Sequence, residues 1–206
     1  MIYTSYDYLN KYQSALGYII GRAVTNKYAT PHIEKMIAYS IAFSDFEKSN
    51  VTTLAFTSKE KIYESIFGTN DKEVEVSDNG LFGWIGYAYI NMFFKHKVTF
   101  ELLFMVFPIR EMIEKYSFLH EMNISQVVNI FKLRVKYTYL DLIMDKKNVS
   151  SAALSKGTGI SESSINALRY GIRDINKTQF EFVKLMANYL NVKIESLGNL
   201  IVKTSK

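Results

Sequence analysis

Residues 149–177 run VSSAALSKGTGISESSINALRYGIRDINK, a stretch in which serines and glycines mark where short helices begin and end. Ser150 is placed to cap a short helix carrying Ala153 and Leu154, because a serine oxygen can accept a first-turn backbone N–H. Gly159 follows where a sharp turn needs a positive φ angle. Ile160 then anchors the turn in an apolar core. Ser161 is placed to cap the next helix. There Ile165 and Leu168 fall on the inward face, while Glu162, Ser163, Ser164, Asn166 and Ala167 face out. Gly171 sits where a helix-ending C′ residue belongs.

The reading extends outward in both directions. Tyr139 to Lys147 forms one amphipathic helix, with Leu140, Ile143 and Met144 on its apolar face. After Arg173-Asp174-Ile175, Asn176 and Gln179 read as a capping box for a fourth helix carrying Phe182, Leu185, Met186 and Leu190. Ile194 and Leu197 belong to a fifth.

Charge marks the same region. The chain has 206 residues and a net charge of +5. Residues 1–131 hold 12 Lys/Arg against 14 Asp/Glu, a net of −2; residues 132–206 hold 13 against 6, a net of +7. The positive charge therefore sits in the last third, which suggests an anionic partner there and a different task for the rest. The chain has no cysteine, which removes disulfides, thiol catalysis and thiolate metal sites and fits a reducing, cytoplasmic setting.

A short helix, a glycine turn and a second capped helix with a polar outer face make a helix-turn-helix layout. The segment resembles the Xre/Cro/C1-type helix-turn-helix domain. The resemblance rests on Val149-Ser150, Ala153-Leu154-Ser155-Lys156, Thr158-Gly159-Ile160-Ser161, Ser164-Ile165, the run from Tyr170 to Lys177, the run from Lys184 to Val192, and Ile194 to Leu197. It implies a five-helix, lambda-repressor-like domain over residues 132–200, followed by a C-terminal tail at 201–206. It also implies that the third helix lies in the major groove of double-stranded DNA. Glu162, Ser163, Ser164, Asn166 and Ala167 then reach base edges, with Ser161 at the start of that helix. Ser150 and Ser151 hold phosphate at the start of the second helix. Arg169, Arg173 and Lys177 contact the DNA backbone and make binding salt-dependent. Arg173 has a second reading, as a hydrogen-bonder to its own loop. Two positions depart from the family. Ser151 stands where a Gln is common, and Gly157 stands where a helix former is usual, at a cost of about 1 kcal/mol.

Residues 1–131 are expected to form a mostly helical effector or dimerisation domain. Tyr8, Leu9, Tyr12, Leu16, Ile19, Ile20 and Ala23 recur at helical spacing. Thr30-Pro31 reads as a helix start, and Thr57 with Glu60 as a capping box before Ile62 and Ile66, with Gly68 as the stop. Residues 69–80 read as a polar loop with room for one short β hairpin or edge strand, because Val74 and Val76 alternate with acids. Leu81 to Phe94 reads as a buried helix in which Gly83 and Gly86 admit a close neighbour. Helices over 99–107 and 108–121 follow, then one capped by Ser125. No Gly or Pro occurs from Ile109 to Lys156, and helical spacing persists, so a helical, fairly rigid connection is expected near 132–138.

No catalytic, metal or cofactor site emerges. His32, His96 and His120 lack partners at metal-ligand spacing, and Gly80, Gly83 and Gly86 make no phosphate loop. The N-terminus, Met1 to Asp7, lacks the basic and apolar regions of a signal peptide, and no apolar run reaches the length of a membrane helix. The expected protein is a non-enzymatic, homodimeric transcriptional regulator of a palindromic operator. It is antitoxin-like, with an N-terminal domain that grips a toxin or another protein. The alternative is a phage- or mobile-element-encoded inhibitor of a defence enzyme, anti-CRISPR-like, whose helix-turn-helix domain regulates its own promoter. A third reading makes that domain a protein-binding module.

Overall fold

The computed structural model describes residues 5–48 and 57–198, without the side chains of 5–8. Most of the N-terminal stretch read for a signal peptide and the tail at 201–206 lie outside the described residues, as does the Tyr8 side chain. The fold is mostly α, and the described residues contain no strand, so Val74 and Val76 sit in irregular backbone. The chain forms two compact units, Met1–Phe131 and Lys132–Lys206.

In the first unit, helix α1 (Ser5–Thr25) is the central element. Tyr12, Leu16, Ile19, Ile20 and Ala23 are buried as their spacing predicts, but so are Gln13, Gly17, Tyr18 and Arg22. The helix is thus enclosed along its second half and not merely amphipathic. Small residues permit this. A side chain at Gly86 would meet the Gln13 carbonyl at 2.3 Å and the Gly17 nitrogen at 2.5 Å, so α1 and α5 (Leu81–His96) touch backbone to backbone. Gly83 is likewise pressed against the backbone of Asp78.

Arg22 is accommodated by hydrogen bonds to the Tyr18 hydroxyl (3.1 Å) and the Asp71 carbonyl (3.0 Å), and it lies over the Tyr63 ring. Buried charge of this kind needs partners, and these tie the 69–80 loop to α1.

The other described helices of the unit are α2 (Thr30–Ala38), α3 (Ile41–Glu47), α4 (Lys59–Phe67), α6 (Phe100–Val106), α7 (Ile109–Glu114), α8 (Tyr116–Leu119) and α9 (Ile124–Arg134). Several helix starts differ from expectation. Ala29, not Thr30, precedes α2, and Pro31 stands in its first turn. Ser58, not Thr57, caps α4 by accepting from the Lys61 N–H. Asn123, not Ser125, starts α9: its Oδ1 accepts from Ser125 N, and its own N–H donates to Gln126 Oε1. At α4 the neighbouring Ser58 has the extended geometry that a cap needs, at φ −68° and ψ 152°. The 108–121 helix is broken at Lys115, which lets the Tyr116 ring meet Trp84 edge-on.

The expected helical passage through 132–138 is not formed. Helix α9 ends at Arg134, and Thr138 adopts an extended conformation to cap α10 (Tyr139–Lys146). The hydroxyl cap prevails over continuous apolar spacing, and Leu133 and Tyr137 are left exposed.

The second unit stacks α10, α11 (Ser151–Thr158), α12 (Glu162–Arg169), a 3₁₀ turn (Ile175–Lys177), α13 (Phe180–Leu190) and α14 (Ile194–Leu197). Its core is Leu140, Ile143, Met144, Leu154, Ile160, Ile165, Leu168, Val183, Met186, Leu190 and Leu197. Of the four apolar residues read on this helix, Met186 and Leu190 are buried while Phe182 and Leu185 are exposed, and Val183 and Ala187 join the inward face of α13. The Asn176–Gln179 box is also absent: Asp174 accepts the Asn176 N–H and starts the 3₁₀ turn, and α13 begins after Gln179 without a side-chain cap. Gly157 has a packing reason. A β-carbon there would lie 1.9 Å from Cε2 of Tyr189, so the glycine admits that ring between α11 and α13.

Candidate nucleic-acid interface

The α11–turn–α12 segment is built by local chemistry. Ser150 caps α11, its hydroxyl accepting the Ala153 N–H at 3.1 Å. Gly159 closes the helix in the left-handed region at φ 74°, where a side chain would be strained. Ile160 is buried behind the turn. Ser161 caps α12 by accepting the Ser164 N–H at 3.3 Å, and Gly171, also at φ 74°, follows the end of the helix.

The outward face of α12 carries Glu162 and Ser163, both exposed, and Ser164, Asn166 and Ala167, all half-buried. Ser161 donates to Ser164 Oγ at 2.8 Å and lies 3.3 Å from Ser163 Oγ, so three hydroxyls meet at the first turn. Asn166 stands one turn further on. Arg173 is exposed, and its backbone N–H donates to the Ala167 carbonyl at 2.9 Å. Lys177 is exposed at the end of the 3₁₀ turn. Ser150 is exposed at the start of α11.

Two residues of the expected set do not present their side chains outward. Ser151 is buried. Arg169 donates from Nε to Asp141 Oδ1 at 2.7 Å and from Nη2 to Asp145 Oδ1, with its side chain 16% exposed. While these pairs stand, its guanidinium is committed inside the fold. The bond to Asp141, above all, raises its already high pKa further.

The Asp141 pair belongs to a clasp that sequence reading missed. Thr138 accepts the Asp141 N–H at 3.1 Å and donates its hydroxyl proton to the Arg169 carbonyl at 2.7 Å. One threonine thus caps the start of α10 and satisfies a carbonyl at the end of α12. The carboxylate at the helix start and the cation at the helix end also suit the two helix dipoles. The clasp fixes α12 in its place. The spacing Thr138-x-x-Asp141 was the available signal, since it is a capping-box pattern before an apolar run. Tyr170 was missed as well: it is exposed at the end of α12 and meets the Tyr137 ring edge-on.

Residues 139–200 match the family model of the Cro/C1-type HTH DNA-binding domain.

The match takes in all five helices of the second unit and none of the first. The HTH domain begins one residue after the cap that Thr138 provides. Within it, α12 is the second helix of the helix-turn-helix and α11 the first. No curated protein and no solved structure matches the chain.

In the first unit the three histidines make ring contacts. His32 stacks on Tyr28, His96 on Phe131 and His120 on Tyr116. His96 Nε2 also lies 2.9 Å from the Val128 carbonyl. Among the described residues no group of three His, Asp or Glu side chains is placed to hold a metal ion, and no helix is long and apolar enough to cross a membrane.

Proposed function

We propose that the protein is a sequence-specific transcriptional regulator that binds a palindromic operator as a homodimer and represses its own promoter. The observation that carries this reading is the HTH domain with a capped second helix whose polar face is outward. On that helix Asn166 is placed to pair with adenine through two hydrogen bonds. Ser163 and Ser164 serve neighbouring bases, and Glu162 accepts from a cytosine amino group. Ser150, Arg173 and Lys177 set the helix on the phosphate backbone. Ser151 contributes from its buried position as part of the packing beneath the helix start. The net charge of +7 over residues 132–206 supplies the sequence-independent attraction.

The first unit, with no positive charge excess, serves as an antitoxin-like effector that binds a protein partner and holds two copies together. A helix-turn-helix reader of this size gains specificity by occupying two half-sites about one helical turn apart, roughly 34–36 Å.

Footprinting on the protein's own upstream DNA tests this. A protected, two-fold symmetric site is expected, lost on Asn166→Ala. Uniform protection of unrelated DNA would show a non-specific binder and defeat the proposal.

A further inference from the structure

The first unit has an open cleft of about 470 Å³ between α1, the loop before α5 and the first turns of α5. That volume lies in the range of small-molecule sites, about 300–1,000 Å³. Its lining is chemically selective. Trp84 and Tyr87, one turn apart on α5, bring two aromatic rings. Asn10, Gln13 and Ser14 share one face of α1 and bring carboxamides and a hydroxyl; the loop brings the Asp78 carboxylate. Among the described residues no lysine or arginine lines the cleft.

Two of these groups have hydrogen-bonding capacity unspent. Gln13 is only 8% exposed, and its Nε2 has no hydrogen-bond partner among the described residues. An unpaired buried N–H is costly, and a hydrogen bond to a ligand acceptor would remove the cost. Asp78 accepts from the Ser14 hydroxyl at 2.7 Å through Oδ1, while a carboxylate can accept several bonds.

We propose that this cleft binds a neutral guanine heterocycle, as the base or its nucleoside. The described lining holds a carboxylate, Asp78, and no lysine or arginine, which disfavours ligands carrying phosphate or carboxylate. The rings favour a flat π system. Among the nucleobases, guanine alone places two adjacent donors on one edge, N1–H and the N2 amino group, with the acceptors O6 and N7 beside them. The donor pair suits the Asp78 carboxylate, and the acceptors suit the Gln13 and Asn10 amides. Adenine and cytosine set a ring acceptor beside their amino group, and uracil flanks its N–H with two carbonyls. Each would turn an acceptor toward Asp78. This site is independent of DNA binding by the second unit.

Trp84 is the only tryptophan in the chain, so its fluorescence reports on the cleft directly. The full-length protein is titrated with guanosine, adenosine and guanosine 5′-monophosphate, with excitation beyond nucleoside absorption. A saturable change is expected with guanosine, and binding at least about tenfold weaker for the other two. Asp78→Asn is expected to weaken guanosine by a similar factor. Tyr87→Ala, at a half-exposed ring, is expected to weaken it several-fold with an unchanged melting temperature, and it decides the matter if Asp78→Asn fails to fold. The proposal is overturned by no saturable change up to the solubility limit of guanosine, by equal binding of adenosine or the monophosphate, or by wild-type affinity in the variants that fold.

Discussion

Arg169→Ala separates two roles that a cation on the HTH domain could have. If Arg169 holds the fold, its removal leaves the buried Asp141 carboxylate without its charged partner. A hydrogen bond to a charged group contributes about 1.5–3 kcal/mol. The Asp145 pair adds little, since that carboxylate is 63% exposed and surface pairs are worth about 0–1 kcal/mol. The Asp141 carboxylate keeps some compensation from the α10 dipole, about 0.3–1 kcal/mol. The net expectation is a local loss of about 2 kcal/mol. Native-state hydrogen exchange on the full chain resolves this at the amides of α10 and α12. Their exchange should speed up by roughly 30-fold, since about 1.4 kcal/mol corresponds to a factor of ten. Amides of α1 and α5 should be unaffected. Asp141→Asn should loosen the same amides, and the double variant should lose less than the sum of the two single changes. The salt dependence of DNA binding should stay as in the wild type. The reasoning is refuted if exchange is unchanged while the slope of log K against log salt falls by about one, the signature of a lost phosphate contact.

Three further outcomes follow from other parts of the molecule. Gly86→Ala drives a methyl group into backbone atoms of α1 that no rotamer change can clear, so the first unit should lose about 1–3 kcal/mol or more in urea melts followed by Trp84 fluorescence; an unchanged midpoint would mean the helices do not cross there. Burial raises the Glu34 carboxyl to about 7, against the opposing effect of the Ile109 N–H it accepts. The folded state therefore holds a proton that the unfolded chain has released between pH 4.5 and 7, so this group's contribution falls as pH rises through that window. The stability of the wild type relative to Glu34→Gln should drop from pH 5 to pH 7.5, and a constant difference would contradict the assignment. Ser161→Ala removes the α12 cap, at about 1 kcal/mol, and should speed exchange of the first-turn amides of α12 more than those of α13.

The second unit was legible because its information is local. Ser150, Gly159, Ser161 and Gly171 each act within four residues of themselves, so their spacing carries the geometry. What failed there involved choices between neighbours or between distant elements. Asp174 outcompeted Asn176 as a cap by lying two residues from the N–H it accepts. Gly157 looked like a defect because its reason, the Tyr189 ring, lies 32 residues away. Arg169 looked like a phosphate contact because the charge of a side chain is visible in sequence and its ion-pair partner is not.

In the first unit the helices and the apolar stripe of α1 were legible, but the burial of polar and small residues beside that stripe was not. Gln13, Gly17 and Arg22 lie outside the apolar stripe that spacing picks out on α1, yet they are buried through the α5 crossing and the Asp71 loop. The cleft beside them gave no sequence signal at all, since Asn10, Gln13, Asp78 and Trp84 converge only in three dimensions.

Sequence-specific DNA binding by the second unit is open to measurement through its salt dependence. Binding of the full-length protein to its own promoter fragment is measured between about 50 and 200 mM salt, alongside Asn166→Ala and Arg173→Ala. For the wild type, log K should fall steeply and linearly with log salt. Asn166→Ala should lose about 1–3 kcal/mol on the cognate site while its salt slope is unchanged, and Arg173→Ala should weaken binding to all sequences and lower the slope by about one. Affinity that is flat with salt, or an Asn166→Ala variant that still discriminates the promoter as well as the wild type, would contradict it.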